Sequence, residues 1–292
     1  MIGLPTCPIP SGIAIALLVS LSAMAQSPRQ LTHHPAQDRY PMWLPDSRHL
    51  VFESDRDSIW AVYRIAIDDT AATPLIRLDA PVRFPAPSVD GRWIAVQAGD
   101  GEETALLRIR IADGRIDTVA ATPGGALFPH WSPDGTFIAY TANRDGNLDL
   151  FRVAATGGTP ERLTTHPTRD LWPRWSPDGR SLLFFSRRDS NGQDDDLYRL
   201  DLAGGAVTRL TTRPGHDFCP TWSPDGERIA VVMREGEETR YIGVIEREGT
   251  LVGKRGEGFE RVTEPAWSPD GRWIAYIAHR GGDYDVYVEA AP

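Results

Sequence analysis

Residues 128–165 read FPHWSPDGTFIAYTANRDGNLDLFRVAATGGTPERLTT, and this stretch decides the fold. FPHWS has the length and aromatic content of a short strand. In SPDG, proline presets φ at the second turn position. Gly135 can take the left-handed conformation that closes a hairpin. TFIAYTA is a second strand, apolar enough to lie between others. NRDGN is a loop, and LDLFRVA is a third strand. After a glycine turn, PERLTT is a fourth. Four short antiparallel strands, turning back at every step, describe one blade of a β-propeller.

The same unit recurs along the chain. WSPDG begins at Trp131, Trp175, Trp222 and Trp267, with weaker copies WLPDS at Trp43 and PSVDG at Pro87. The six turn aspartates, Asp46, Asp90, Asp134, Asp178, Asp225 and Asp270, stand 44, 44, 44, 47 and 45 residues apart. That period, with β-branched residues, Pro and Gly but no persistent 3.6-residue apolar stripe, fits a helical solenoid poorly. The tryptophan before each turn is expected to fill the wedge between adjacent blades. Blades one and two, with Ser47 for glycine and Pro87 and Val89 for tryptophan and proline, are expected to be the least regular.

The ends of the chain fit together. Fourth strands are expected around Leu31, Leu78, Val119, Leu163, Leu210 and Val262. The first of these, RQLT, precedes any complete blade, and the chain stops at DYDVYVEAAP, a third strand without a fourth. Residues 29–32 are therefore expected to pair near Tyr287 and Val288 and complete blade six. The fold class is all-β: a six-bladed propeller of four-stranded antiparallel blades, its ring closed by the N-terminal strand.

Residues 1–25 contain no Asp, Glu, Lys or Arg. The run Ile13–Leu21 leads to Ala23-Met24-Ala25, the small-x-small pattern of a signal-peptidase cut. The expected domains are a cleaved export signal, 1–25, and the propeller, 26–292. Beyond position 25 the only cysteine is Cys219, so no internal disulfide is expected. The net charge of −9 and the lack of a basic stripe argue against a nucleic-acid partner. No apolar segment after the signal is long enough to cross a membrane as a helix.

The pattern W-S-P-D-G-x-x-I-A-Y, then D-x-Y/F, then R-L-T resembles the TolB-type β-propeller repeat across residues 29–292. That resemblance implies a periplasmic, monomeric module without a cofactor that binds a protein or peptide of the cell envelope. Secretion is the other compartment open to an exported chain. The additional α/β domain of TolB has no counterpart between the signal and RQLT. Related repeats occur in prolyl-oligopeptidase-like peptidases and oligogalacturonate lyases. G-x-S-x-G and H-E-x-x-H are both absent, so no catalytic residue is expected. The alternative reading is a metal-dependent carbohydrate-active enzyme like the oligogalacturonate lyases, which resemble seven-bladed rings. It would require His33, His34, His130, His166 and His216 to converge. A third is a sensory or scaffold domain working with a separately encoded enzyme.

The loops from each fourth strand to the next first strand end in proline. The residues before that proline are Tyr40, Phe84, Phe128, Trp172, Cys219 and Glu264. Tyr40, Phe84, Phe128 and Trp172 form an expected aromatic arc at the pore mouth on the loop face. His130 and Arg174, two places further on, are expected on the channel wall, where Arg174 could grip an anion. These six are the candidate partner-binding residues, set against plainer roles: filler at blade junctions for the four aromatics, and a solvated channel wall for His130 and Arg174. The loop RRDSNGQDDD, 187–196, is read as a solvated acidic loop rather than a calcium site. No metal ligand is assigned.

Overall fold

The computed structural model describes residues 27–101, 104–122, 124–189, 193–236 and 239–292. The proposed signal, 1–25, lies outside the described residues.

Among the described residues, 24 strands form six four-stranded antiparallel sheets. Blade one is β2 (Asp38–Trp43), β3 (His49–Ser54), β4 (Ala61–Ala66) and β5 (Thr73–Ile76). Blade two is β6 (Val82–Pro87), β7 (Trp93–Ala98), β8 (Ala105–Arg110) and β9 (Ile116–Ala121). Blade three is β10 (Leu127–Trp131), β11 (Phe137–Arg144), β12 (Asn147–Ala154) and β13 (Glu161–Arg162). Blade four is β14 (Asp170–Trp175), β15 (Ser181–Ser186), β16 (Asp196–Asp201) and β17 (Val207–Arg209). Blade five is β18 (His216–Trp222), β19 (Arg228–Glu235), β20 (Thr239–Glu246) and β21 (Leu251–Arg255). Blade six is β22 (Arg261–Trp267), β23 (Trp273–Arg280) and β24 (Asp283–Ala290), completed by β1 (Arg29–Gln30).

The ring closes as the repeat count requires. Arg29 pairs with Val288 and Gln30 with Tyr287. The Leu31 amide donates to the Val286 carbonyl at 2.8 Å. Side chains lock the join. Gln30 Nε2 and Thr32 Oγ1 donate to the two Asp285 carboxylate oxygens, at 2.9 and 3.0 Å.

One fourth strand lies elsewhere than expected. Val262 belongs to β22, the first strand of blade six, and the fourth strand of blade five is Leu251–Arg255. The phrase ERVT imitates ERLT, but it leads straight into the inner strand. Blade two turns as the later blades do, while blade one keeps the two backbone bonds of the turn but has Leu44 in place of the serine, and both blades carry a register shift between their two outer strands. Ser47 adopts a φ of 54°, beside 69–76° for the glycines at 91, 135, 179, 226 and 271. In blade one Asp46 accepts the amides of Arg48 and His49, both at 2.9 Å.

The SPDG turn has a local cause. In blade three the Ser132 hydroxyl donates to Asp134 at 2.6 Å and accepts the Phe137 amide at 2.9 Å. Asp134 also accepts the Thr136 amide at 3.0 Å. These bonds, the serine hydroxyl's first, hold the Asp134 carboxyl below its ordinary range. The same serine–aspartate pair recurs at 88/90, 176/178, 223/225 and 268/270.

The core is distributed over the six blade junctions. Each buried apolar cluster joins two neighbouring blades, and one of them, holding Trp43, Leu50, Ala275 and Val286, seals blade six to blade one. Trp43, Trp131, Trp175 and Trp222 are buried, each packed towards the preceding blade. The indole Nε1 of Trp43 donates to Ala266, and that of Trp131 to Ala86, both at 2.9 Å. A large flat side chain is suited to the wedge that twisted sheets leave between them.

Candidate functional site

The site begins with a fault repeated six times. Each inner strand loses register before its second-last pair, at Arg39/Met42, Arg83/Ala86, Leu127/His130, Leu171/Arg174, Phe218/Thr221 and Thr263/Ala266. At every one of these bulges a proline, which has no amide hydrogen for the ladder, follows a residue in the left-handed region. The six are Tyr40, Phe84, Phe128, Trp172, Cys219 and Glu264, with φ between 52° and 65°. Such a conformation is costly for a bulky residue.

The bulges bring four of the expected site residues into mutual contact. Ring centroids of Tyr40 and Phe84 lie 4.7 Å apart, Phe84 and Phe128 4.9 Å, and Phe128 and Trp172 4.6 Å. Tyr40 and Trp172, from opposite blades one and four, approach to 5.4 Å. Rings in contact across the diameter fill the channel at this level. The expected aromatic arc is therefore drawn together into a packed plug.

Neighbouring blades clamp it. The Tyr40 amide donates to Glu264 Oε2 at 2.7 Å, and Arg39 donates to Glu264 Oε1 at 2.6 Å. Glu53 repeats the pattern one blade on, accepting from the Phe84 amide and from Arg83, both at 2.7 Å. Both carboxylates are buried, so the ion pairs and amide bonds satisfy charges that water cannot reach.

Beyond the plug, on the SPDG side, lies a cavity of about 330 Å³. Its walls are the tryptophans before the turns, and its rim carries Pro45, Pro133, Pro177, Pro224 and Pro269. It is closed behind by the plug and opens on the face of tight turns, opposite to the face expected from loop length. His130 and Arg174 both line it, as their shared repeat position predicts, and no Asp or Glu does.

Arg174 is only 5% exposed. Its guanidinium stacks over the Trp172 ring, 4.6 Å from the centroid, and donates to the Pro173 carbonyl at 3.1 Å. It makes no salt bridge among the described residues. Burial lowers its pKa to about 10. His130 accepts the Trp175 amide through Nδ1 at 3.2 Å, an assignment that puts its proton on Nε2. Burial, and then Arg174, hold its pKa well below the ordinary value, so the ring is neutral.

A family model described as the TolB beta propeller domain matches residues 72–216. Six four-stranded blades surround that match, and the solved structures agree. The chain is a TolB-like six-bladed β-propeller. TolB from Acinetobacter baumannii superposes with a TM-score of 0.68 at 21% identity, over 87% of this chain and 63% of that one. This chain thus spans less than two thirds of that TolB. A putative TolB from Agrobacterium tumefaciens gives 0.69 at 24% identity, over 89% of this chain and 92% of the other. An oligogalacturonate lyase in complex with manganese gives 0.60 at 15%, over 92% and 94%. At these identities the likeness is one of fold. No curated protein matches the sequence.

In this TolB-like ring the histidines stay apart. His130 lines the channel, His166 Nδ1 bonds the Thr168 hydroxyl at 2.8 Å, and His216 lies beside Asp195 at 3.1 Å. His33 and His34 are exposed. Among the described residues no three His, Cys, Asp or Glu gather closely enough to hold a metal ion, so the convergence of histidines that the metal-dependent alternative requires is not found among them. In the 187–196 loop, Asp195 and Asp196 are buried rather than solvated, and pair with Arg187 and Arg209 at 2.9 and 2.7 Å. The site members that sequence reasoning missed are the turn prolines and Trp175 and Trp222 as cavity wall. Their signal was present in the repeat, but it was read only as packing.

Proposed function

We propose that the protein is an exported, non-catalytic binding module whose turn-face cavity receives a segment of a protein or peptide partner of the cell envelope. The observation that carries this reading is the blind cavity itself. It is concave, lined by Trp and Pro, and has a few polar groups at its floor, the composition of a recognition pocket. Rigid aromatic walls offer contact area at little cost in side-chain freedom. The TolB likeness supports a module of this kind and motivates the envelope as its setting. Among the described residues, no grouping of ligands favours a metal-dependent enzyme instead.

A photo-crosslinking side chain tests the reading in cells that make the protein. Placed at Val89, which is half exposed at the cavity rim, it should give a discrete adduct. That adduct should disappear when Thr221→Trp fills the cavity. Adducts formed only from Asp145, on the opposite face, would contradict the proposal.

A further inference from the structure

The nitrogen groups at the cavity floor are donors, and the Thr221 hydroxyl beside them can donate or accept. Arg174 offers guanidinium N–H groups and has no carboxylate partner. The buried carboxylate of Glu264 is committed to Arg39 and the Tyr40 amide. His130, with Nδ1 occupied, presents Nε2–H, which makes no hydrogen bond among the described residues. The indole Nε1 groups of Trp175 and Trp222, in the same wall, are buried without a partner. Trp43 and Trp131, their repeat equivalents, find the carbonyl of the preceding blade. The two orphaned indole nitrogens lie at the junctions on either side of blade four, which carries Arg174.

A buried cation without a counter-ion and unpaired buried donors are both costly to a folded protein. The stacking of Arg174 on Trp172 recovers part of that cost. What the set lacks is an acceptor with negative charge and more than one oxygen, which a guanidinium grips bidentately. The cavity is blind, so a chain end enters more readily than a loop, which must bring two strands through the mouth. The apolar walls suit an apolar side chain next to the charge.

Resting on the binding-module reading above, we propose that the cavity floor is a carboxylate site. It takes the C-terminal carboxylate of a peptide whose last residue is apolar, with Arg174 as the anchor and His130 as a neutral donor.

The test compares acetyl-Gly-Gly-Phe with its C-terminal amide and with 3-phenylpropanoate, by calorimetry on the full chain. The free-acid peptide should bind at least tenfold more tightly than the amide, and Arg174→Met should abolish the difference. Arg174→Met should also raise the melting temperature, because it removes a buried unpaired charge while keeping an apolar stem. An arginine with a merely structural role would lower it. Equal binding of acid and amide overturns the carboxylate site but leaves the cavity a docking pocket. Failure of the free-acid peptide to bind at millimolar concentration also overturns it, whatever the Val89 adduct shows. Binding of 3-phenylpropanoate as tight as that of the peptide replaces the chain end by a small free acid, against the proposal. A lower melting temperature in Arg174→Met would assign the arginine to structure.

Discussion

Trp175 serves both the junction of blades three and four and the wall of the cavity. It is 5% exposed and packs against Ala139, Leu150 and Leu182. Trp175→Ala should cost about 3–5 kcal/mol, the range for deleting a large buried aromatic, read as a lower midpoint in urea. An unchanged midpoint would remove this tryptophan from the core. Its repeat position made the packing role legible in the sequence. The second role was not legible, because exposure to a cavity depends on what fills the channel beyond it. The left-handed backbone at Tyr40, Phe84, Phe128 and Trp172 was equally hidden. Residues before proline ordinarily prefer extended backbone. Here packing in the plug and amide bonds to Glu264 and Glu53, from the preceding blade, hold two of them in the rarer conformation.

Strands were legible wherever the repeat kept its spacing. From Leu31, Val119, Leu163 and Leu210 to the next turn tryptophan is 12 residues, but from Val262 it is 5. That shortfall marks Val262 as part of an inner strand, and the resemblance of ERVT to ERLT concealed it. The closing strand β1 is only two residues long, yet it carries the join. A chain beginning at His33 should melt at a lower temperature and expose β24 to protease. Melting with the longer chain, with β24 still protected, would refute closure. The join also titrates. Burial raises the Asp285 carboxyl, which accepts from Gln30 and Thr32, to about 6. A raised acid favours its protonated form in the fold, so its contribution is complete below about pH 4 and lost as the pH rises through 6. Asp285→Asn should therefore gain melting temperature relative to wild type between pH 4 and pH 7. Parallel curves over that range would show that Asp285 does not titrate as described.

At the scale of the molecule, six blades, their order and the closed ring follow from the period of the turn aspartates and from the unmatched ends. The place of the cavity does not. Longer loops pointed to one side, and the cavity opens on the other. The reason is the bulge in each inner strand. It breaks the two-residue alternation that sequence reasoning relies on, so that Trp172 enters the plug while Arg174, two residues on, lines the cavity. The proposed function depends above all on ligand entering the turn-face cavity. The most direct measurement follows the indole N–H resonances of the 15N-labelled protein, assigned by single Trp→Phe changes, as acetyl-Gly-Gly-Phe is added. The account predicts saturable shifts at Trp175 and Trp222 and none at Trp60, which stacks with Arg83 on the loop face. Shifts at Trp60 with Trp175 and Trp222 unmoved would place binding on the opposite face and contradict it.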